Sequence, residues 1–215
     1  MKASEEQEIP VFIVTETVLF PGTTAQVNCY EDDPERRLIE ENYVHGREIG
    51  VFLADSSTWG TDDPRPLPVG CKARILDWED ISPMDRLARV QGISRLQIVD
   101  WVSSNPYPKA IVQEAEPSRG ILGKPVDPKQ TQRIRAGLQE LCFLQGGEEY
   151  TRLIPLLDVQ KEPGQLADFA AFHLVRDIFL KQELLETLAP ADRLDTISHW
   201  LNGEMGRHSP RPSGP

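Results

Sequence analysis

The hydrophobic period of this 215-residue chain shifts for good near residue 120, and that shift narrows the folds open to it. Upstream, apolar residues come in short runs or in alternation, the period-2 pattern of strands. Downstream they recur at three and four, the stripe of an amphipathic helix. Apolar and polar residues largely alternate in Leu87-Ala88-Arg89-Val90-Gln91 and in Arg95-Leu96-Gln97-Ile98-Val99. With Ile9–Val14, Thr23–Cys29, Ile49–Ala54, Val69–Trp78 and Tyr107–Glu114 they form a series of short strands, which predicts a barrel or sandwich rather than a parallel sheet. Gly92, between two strands, predicts a tight turn or bulge, and Phe20-Pro21-Gly22 predicts a break.

One short helix interrupts the strands. Asp33 can cap it, Pro34 suits its first turn, Leu38, Ile39 and Tyr43 share a face, and Gly46 closes it. Asp55–Pro68 reads as a long loop. After a linker at Gly120–Pro128, Ile134, Leu138 and Leu141 mark a helix that Gly146-Gly147 stops. A second helix opens at Pro163 and carries Leu166, Phe169, Ala170, His173, Leu174, Asp177 and Ile178; a last one carries Leu194, Ile197 and Leu201. Strands followed by helices predict an α+β protein with a β subdomain at 9–118, a helical subdomain at 126–204, and flexible termini at 1–8 and 205–215.

The longest apolar runs fall far short of the roughly 20 residues that cross a bilayer. Met1–Glu8 (MKASEEQE) lacks the apolar core of a secretory signal, so the expected compartment is the cytoplasm. Cys29, Cys71 and Cys142 are scattered without a C-x-x-C, as suits reduced thiols. A net charge of −11 disfavours nucleic acid, whose binding relies on Lys and Arg to displace counterions.

Motifs of common enzyme classes do not emerge. Gly120-Ile121-Leu122-Gly123-Lys124-Pro125 has the wrong glycine spacing for a phosphate-cradling loop, and proline stands where a hydroxyl must reach magnesium. The four histidines are isolated, and His173, on an apolar helix face, reads as a hydrogen-bonded core residue rather than a metal ligand. Asp32-Asp33 and Asp62-Asp63 read as turn or capping groups. No metal or cofactor is expected. Trp59, in a polar loop, and Trp101 and Tyr107, flanking the turn Val102–Pro106, are candidate peptide contacts, because aromatics carry much interface energy. The bland alternative for Trp59 is a ring folded back over the end of the β body.

Several segments, in order, resemble the substrate-binding domain at the N-terminus of Lon proteases. They are Ile9-Pro10-Val11-Phe12, Val18-Leu19-Phe20-Pro21-Gly22, Ile49-Gly50-Val51-Phe52, Val69-Gly70-Cys71-Lys72-Ala73-Arg74-Ile75 and Val90-Gln91-Gly92-Ile93-Ser94-Arg95-Leu96-Gln97-Ile98. Leu166-Ala167-Asp168-Phe169 and Lys181-Gln182-Glu183-Leu184-Leu185-Glu186 resemble two of its helices. The segment Asn28–Arg36 keeps only part of the family's pattern before the first helix, and Leu96 stands where phenylalanine is common. The resemblance covers about residues 9–200 and implies a PUA-like β-barrel followed by a C-terminal α-helical bundle. It implies recognition of polypeptide segments or another protein, as an adaptor or modulator of proteolysis with possible self-association. It does not carry over ATP hydrolysis or peptide cleavage, since the chain ends where the proteases continue into those domains. Competing readings are RNA binding, which PUA-like barrels support elsewhere, and an unrecognised hydrolase.

Overall fold

The computed structural model describes residues 5–30, 34–61, 64–82, 85–103, 105–115 and 125–208. Asp32-Asp33, Asp62-Asp63, the Asp33 cap and the Gly120–Lys124 part of the linker lie outside them. The chain divides into two compact units, Met1–Glu116 with Val175–Glu186, and Pro117–Leu174 with Thr187–Pro215.

The first unit holds six strands: β1 (Gln7–Val14), β2 (Thr24–Tyr30), β3 (Glu48–Leu53), β4 (Val69–Asp80), β5 (Asp85–Ser103) and β6 (Lys109–Glu114). Helix α1 (Pro34–Val44) joins β2 to β3. The strand order is β2-β5-β4-β3-β1-β6, and β5 also pairs with β6. Among the described residues β1 and β3 run parallel, and the other pairings are antiparallel. The two strands predicted around Gly92 are one 19-residue strand, β5, long enough to pair with β2 and β4 along its first half and with β6 along its second. A register shift between Lys72 and Ala73, opposite Gly92–Ser94, is the irregularity that the glycine predicted. The sheet curls back on itself, since β5 also pairs with β6, as the expected barrel-like body requires, but it is not a closed barrel. Among the described residues β2 pairs with β5 alone, at the margin of that curl, and keeps an open edge.

Alternation along the strands decides what faces inward. Burial in β2 switches strictly residue by residue, with Ala25, Val27 and Cys29 buried. Ile9, Val11, Phe52, Leu96, Ala110 and Val112 form one core cluster drawn from β1, β3, β5 and β6. The uncharged run Ile49–Ala54 is buried throughout, as its composition predicted. Burial on this scale contributes about 1.5–3 kcal/mol per large apolar side chain.

The second unit is helical: α2 (Pro128–Gln145), α3 (Glu148–Thr151), α4 (Leu153–Val159), α5 (Pro163–His173) and α7 (Pro190–His208). The Asp127 carboxylate accepts from Lys129 N at 2.9 Å to cap α2, and Gly146, at φ +65°, ends it. Helix α6 (Ile178–Glu186) belongs to the first unit. Sequence periodicity ran one helix from Pro163 through Ile178, whereas the structure stops α5 at His173 and restarts at Ile178. Asp177 explains the restart, since its Oδ1 accepts from Phe179 N at 2.9 Å and Leu180 N at 3.3 Å, an N-cap. His173, expected in the core, is exposed and packs its ring 4.4 Å from Phe169. The early stop of α5 leaves it in the last turn of that helix.

Candidate functional site

The residues that carry the family resemblance are scaffold. A Cβ on Gly92 would lie 2.2 Å from the Phe20 carbonyl oxygen, so only glycine lets β5 meet the Phe20-Pro21-Gly22 turn. Gly22 N donates to Gly92 O at 2.9 Å, and the Thr23 hydroxyl donates to Phe20 O at 2.8 Å. At Gly70 a Cβ would meet Phe52 at 2.3 Å. Arg95, buried on β5, donates through Nε to Leu185 O at 2.8 Å, satisfying a carbonyl at the end of α6. Gln182 of α6 donates through Nε2 to Val69 O at 3.0 Å. In the second unit Asp168 and Arg193 form a buried ion pair at 3.0 Å. These side chains hold the fold together.

The three aromatic candidates all lie in the first unit, but no ring contact joins any two of them among the described residues. Trp59 is 41% exposed, and its indole Nε1 donates to Ala54 O at 3.0 Å. That bond folds the loop back on the end of β3 and fixes the ring. Its face stacks on Phe179 of α6 with centroids 6.4 Å apart and planes 14° from parallel. Phe179 is 60% exposed, so two rings present one apolar surface to solvent. Sequence reading missed Phe179; its signal was an apolar residue two positions after a capping aspartate. Trp101, 40% exposed, pairs with Ala110 across β5 and β6 beside exposed Val99 and Val102.

Tyr107 is placed differently. Its ring is buried, and its hydroxyl donates to Glu41 Oε2 at 3.1 Å. It lines a cleft of about 510 Å³ with Glu8, Asn42, Arg47, Glu48 and Lys109. Pro10 lacks the N–H that would continue the β1–β3 ladder, which begins at Val11 and Gly50, and the cleft opens there. Arg37, hydrogen-bonded to Glu41, holds that carboxyl below the usual carboxylate range. Nearby, buried Arg86 lies 3.5 Å from the Trp78 ring centroid, binds Asp80 at 2.7 Å and pairs with Glu40 of α1.

Burial pushes the Cys142 thiol up, the reverse of what an attacking thiolate needs. Among the described residues no group of three His, Cys, Asp or Glu side chains could hold a metal ion, and no helix is long and apolar enough to cross a membrane.

Comparison with known proteins agrees with the motifs. A family model described as the ATP-dependent protease La (LON) substrate-binding domain matches residues 8–203. A Lon protease of Dictyoglomus thermophilum is 29% identical over 204 residues, covering 92% of this chain and 24% of that protein. Lon protease 2 of Herpetosiphon aurantiacus is 30% identical over 206 residues, covering 95% of this chain and 25% of that protein. The chain thus spans about a quarter of the length of the curated relatives it matches. The N-terminal domain of Mycobacterium avium complex Lon protease superposes with a TM-score of 0.68 at 24% identity, covering 91% of this chain and 98% of that one. A Lon N-terminal domain protein from Xanthomonas campestris gives 0.66 at 18% identity, covering 90% and 98%. These two likenesses establish the fold. The extent of the family match, together with the structural work its motif residues perform, places the chain in the Lon substrate-binding domain family.

Proposed function

We propose that the chain is a non-catalytic recognition module that grips unfolded polypeptide segments through its β unit and serves as an adaptor or modulator of proteolysis. The observation that carries this reading is the family match over 8–203, in a chain whose motif residues are occupied in the scaffold. The stacked pair Trp59 and Phe179 supports it as a fixed apolar platform. Trp101, on the β5–β6 hairpin, is a second contact, and Tyr107 contributes its hydroxyl at the cleft. Such rings lose little freedom on binding, which favours them as anchors. Ordering a flexible segment costs several kcal/mol, so one copy binds with roughly micromolar affinity or more weakly.

The test is fluorescence anisotropy with a permanently unfolded, labelled polypeptide and no nucleotide. Wild type binds, and Trp59→Ala or Phe179→Ala weakens binding about tenfold while thermal melts confirm the fold. Equal binding by wild type and both variants contradicts the platform. Cleavage of the polypeptide, abolished by a single substitution, contradicts the non-catalytic reading.

A further inference from the structure

Resting on the polypeptide-binding reading above, we infer that the open edge of β2 takes an extended client segment as an added strand. Gly92 N of β5 donates to Thr23 O at 2.9 Å, so the backbone at Thr23 faces β5. Alternation along the strand turns Ala25, Val27 and Cys29 the same way. Thr24, Gln26, Asn28 and Tyr30 therefore turn their N–H and C=O groups outward, where no hydrogen bond joins them to another described residue.

Unpaired edges are templates for another chain, and natural sheets blunt them with charge, proline or a bulge. Strand β2, Thr-Ala-Gln-Val-Asn-Cys-Tyr, has none of these, and its ladder to β5 runs without a register shift. By contrast the β4–β5 and β5–β6 ladders are both interrupted by register shifts, and β1 carries Glu8 and Pro10.

A groove of about 570 Å³ adjoins this edge. Phe12, Val27 and Tyr30 supply apolar lining, Asn28 an amide, and its charged residues are Glu16 and Glu35. Its volume falls within the roughly 300–1,000 Å³ of pockets that enclose a ligand, enough for a few side chains. Lacking Lys and Arg in its lining, the groove suits a segment that alternates apolar residues and carries lysine or arginine. A second copy is a poorer occupant, because each chain carries a net charge of −11. In this binding mode main-chain hydrogen bonds give affinity and alternate side chains give selectivity.

The experiment pairs two backbone probes on the full chain. A fluorescent peptide as long as β2, with alternating apolar residues and a lysine at each end, is N-methylated at alternate positions in one register or the other. Only one register presents its N–H groups to β2, so methylation there weakens binding about tenfold and methylation in the other leaves it unchanged. Asn28→Pro, which removes an outward N–H that an edge strand can spare, weakens the unmodified peptide by a similar factor. Should that variant fail to fold, the two methylated peptides carry the test on wild type.

Equal binding of both methylated peptides overturns the inference; if an unfolded polypeptide still binds, the recognition reading survives. No binding of any unfolded polypeptide overturns both. Sedimentation that finds wild-type dimers, lost in Asn28→Pro, assigns the edge to a second copy and also overturns the inference.

Discussion

At Gly92, Asp168 and Glu41 the demands on single residues are sharpest. Gly92→Ala forces a methyl group into the Phe20 carbonyl, and overpacking of this kind costs about 1–3 kcal/mol. A lower urea midpoint at unchanged slope would register it; an unshifted midpoint would show that the turn can move aside. Asp168→Ala leaves Arg193 charged in a buried site and should cost about 3–5 kcal/mol. Arg37 and Arg89 hold Glu41 and Asp77 below their ordinary carboxylate values. A depressed folded pKa stabilises the fold above the unfolded value and loses that contribution as pH falls through the folded one. Stability should therefore decline below about pH 4, and Arg37→Gln with Arg89→Gln should flatten that acid limb in melts across pH. Both carboxylates are exposed, so the slope is shallow. The three cysteines are buried, and a thiol reagent should label none until denaturant is added. The glycines and Asp168 were legible as motif letters. Their partners were not, since Arg193 lies 25 residues from Asp168 and nothing local marks it.

Elements were legible where period and punctuation agreed. Alternation in Leu87–Gln91 and Arg95–Val99 placed β5, and the stripe of α2 ends at Gly146 as Gly146-Gly147 predicted. Reading failed where one signal ran through another, as when the apolar stripe of α5 continued past the Asp177 cap. The barrel-like body was legible but its closure was not, because a strand's pattern gives its faces and not how many neighbours it has. The seating of α6 was also invisible, for Arg95 and Leu185 are far apart in sequence. Arg95→Met should cost about 1–3 kcal/mol by leaving helix-end carbonyls unsatisfied, and hydrogen exchange should quicken in Leu184–Glu186 more than in β4. Equal exchange would remove Arg95 as the cap. The aromatic candidates show the same limit: Trp59 stood out by composition, while its partner Phe179 lies in α6.

For the molecule as a whole, the proposed reading has fold and recognition draw on different residues of the β unit. Motif positions brace the sheet and seat α6, while the open strand edge and exposed rings are the surfaces proposed for a client. The most direct measurement is hydrogen–deuterium exchange of the chain with and without a saturating unfolded polypeptide. Slowed exchange is predicted at Gln26, Asn28 and Tyr30 and around Trp59, with α2 and α7 unchanged. Exchange left unaltered throughout the β unit, or slowed only in the helical unit, would contradict the account.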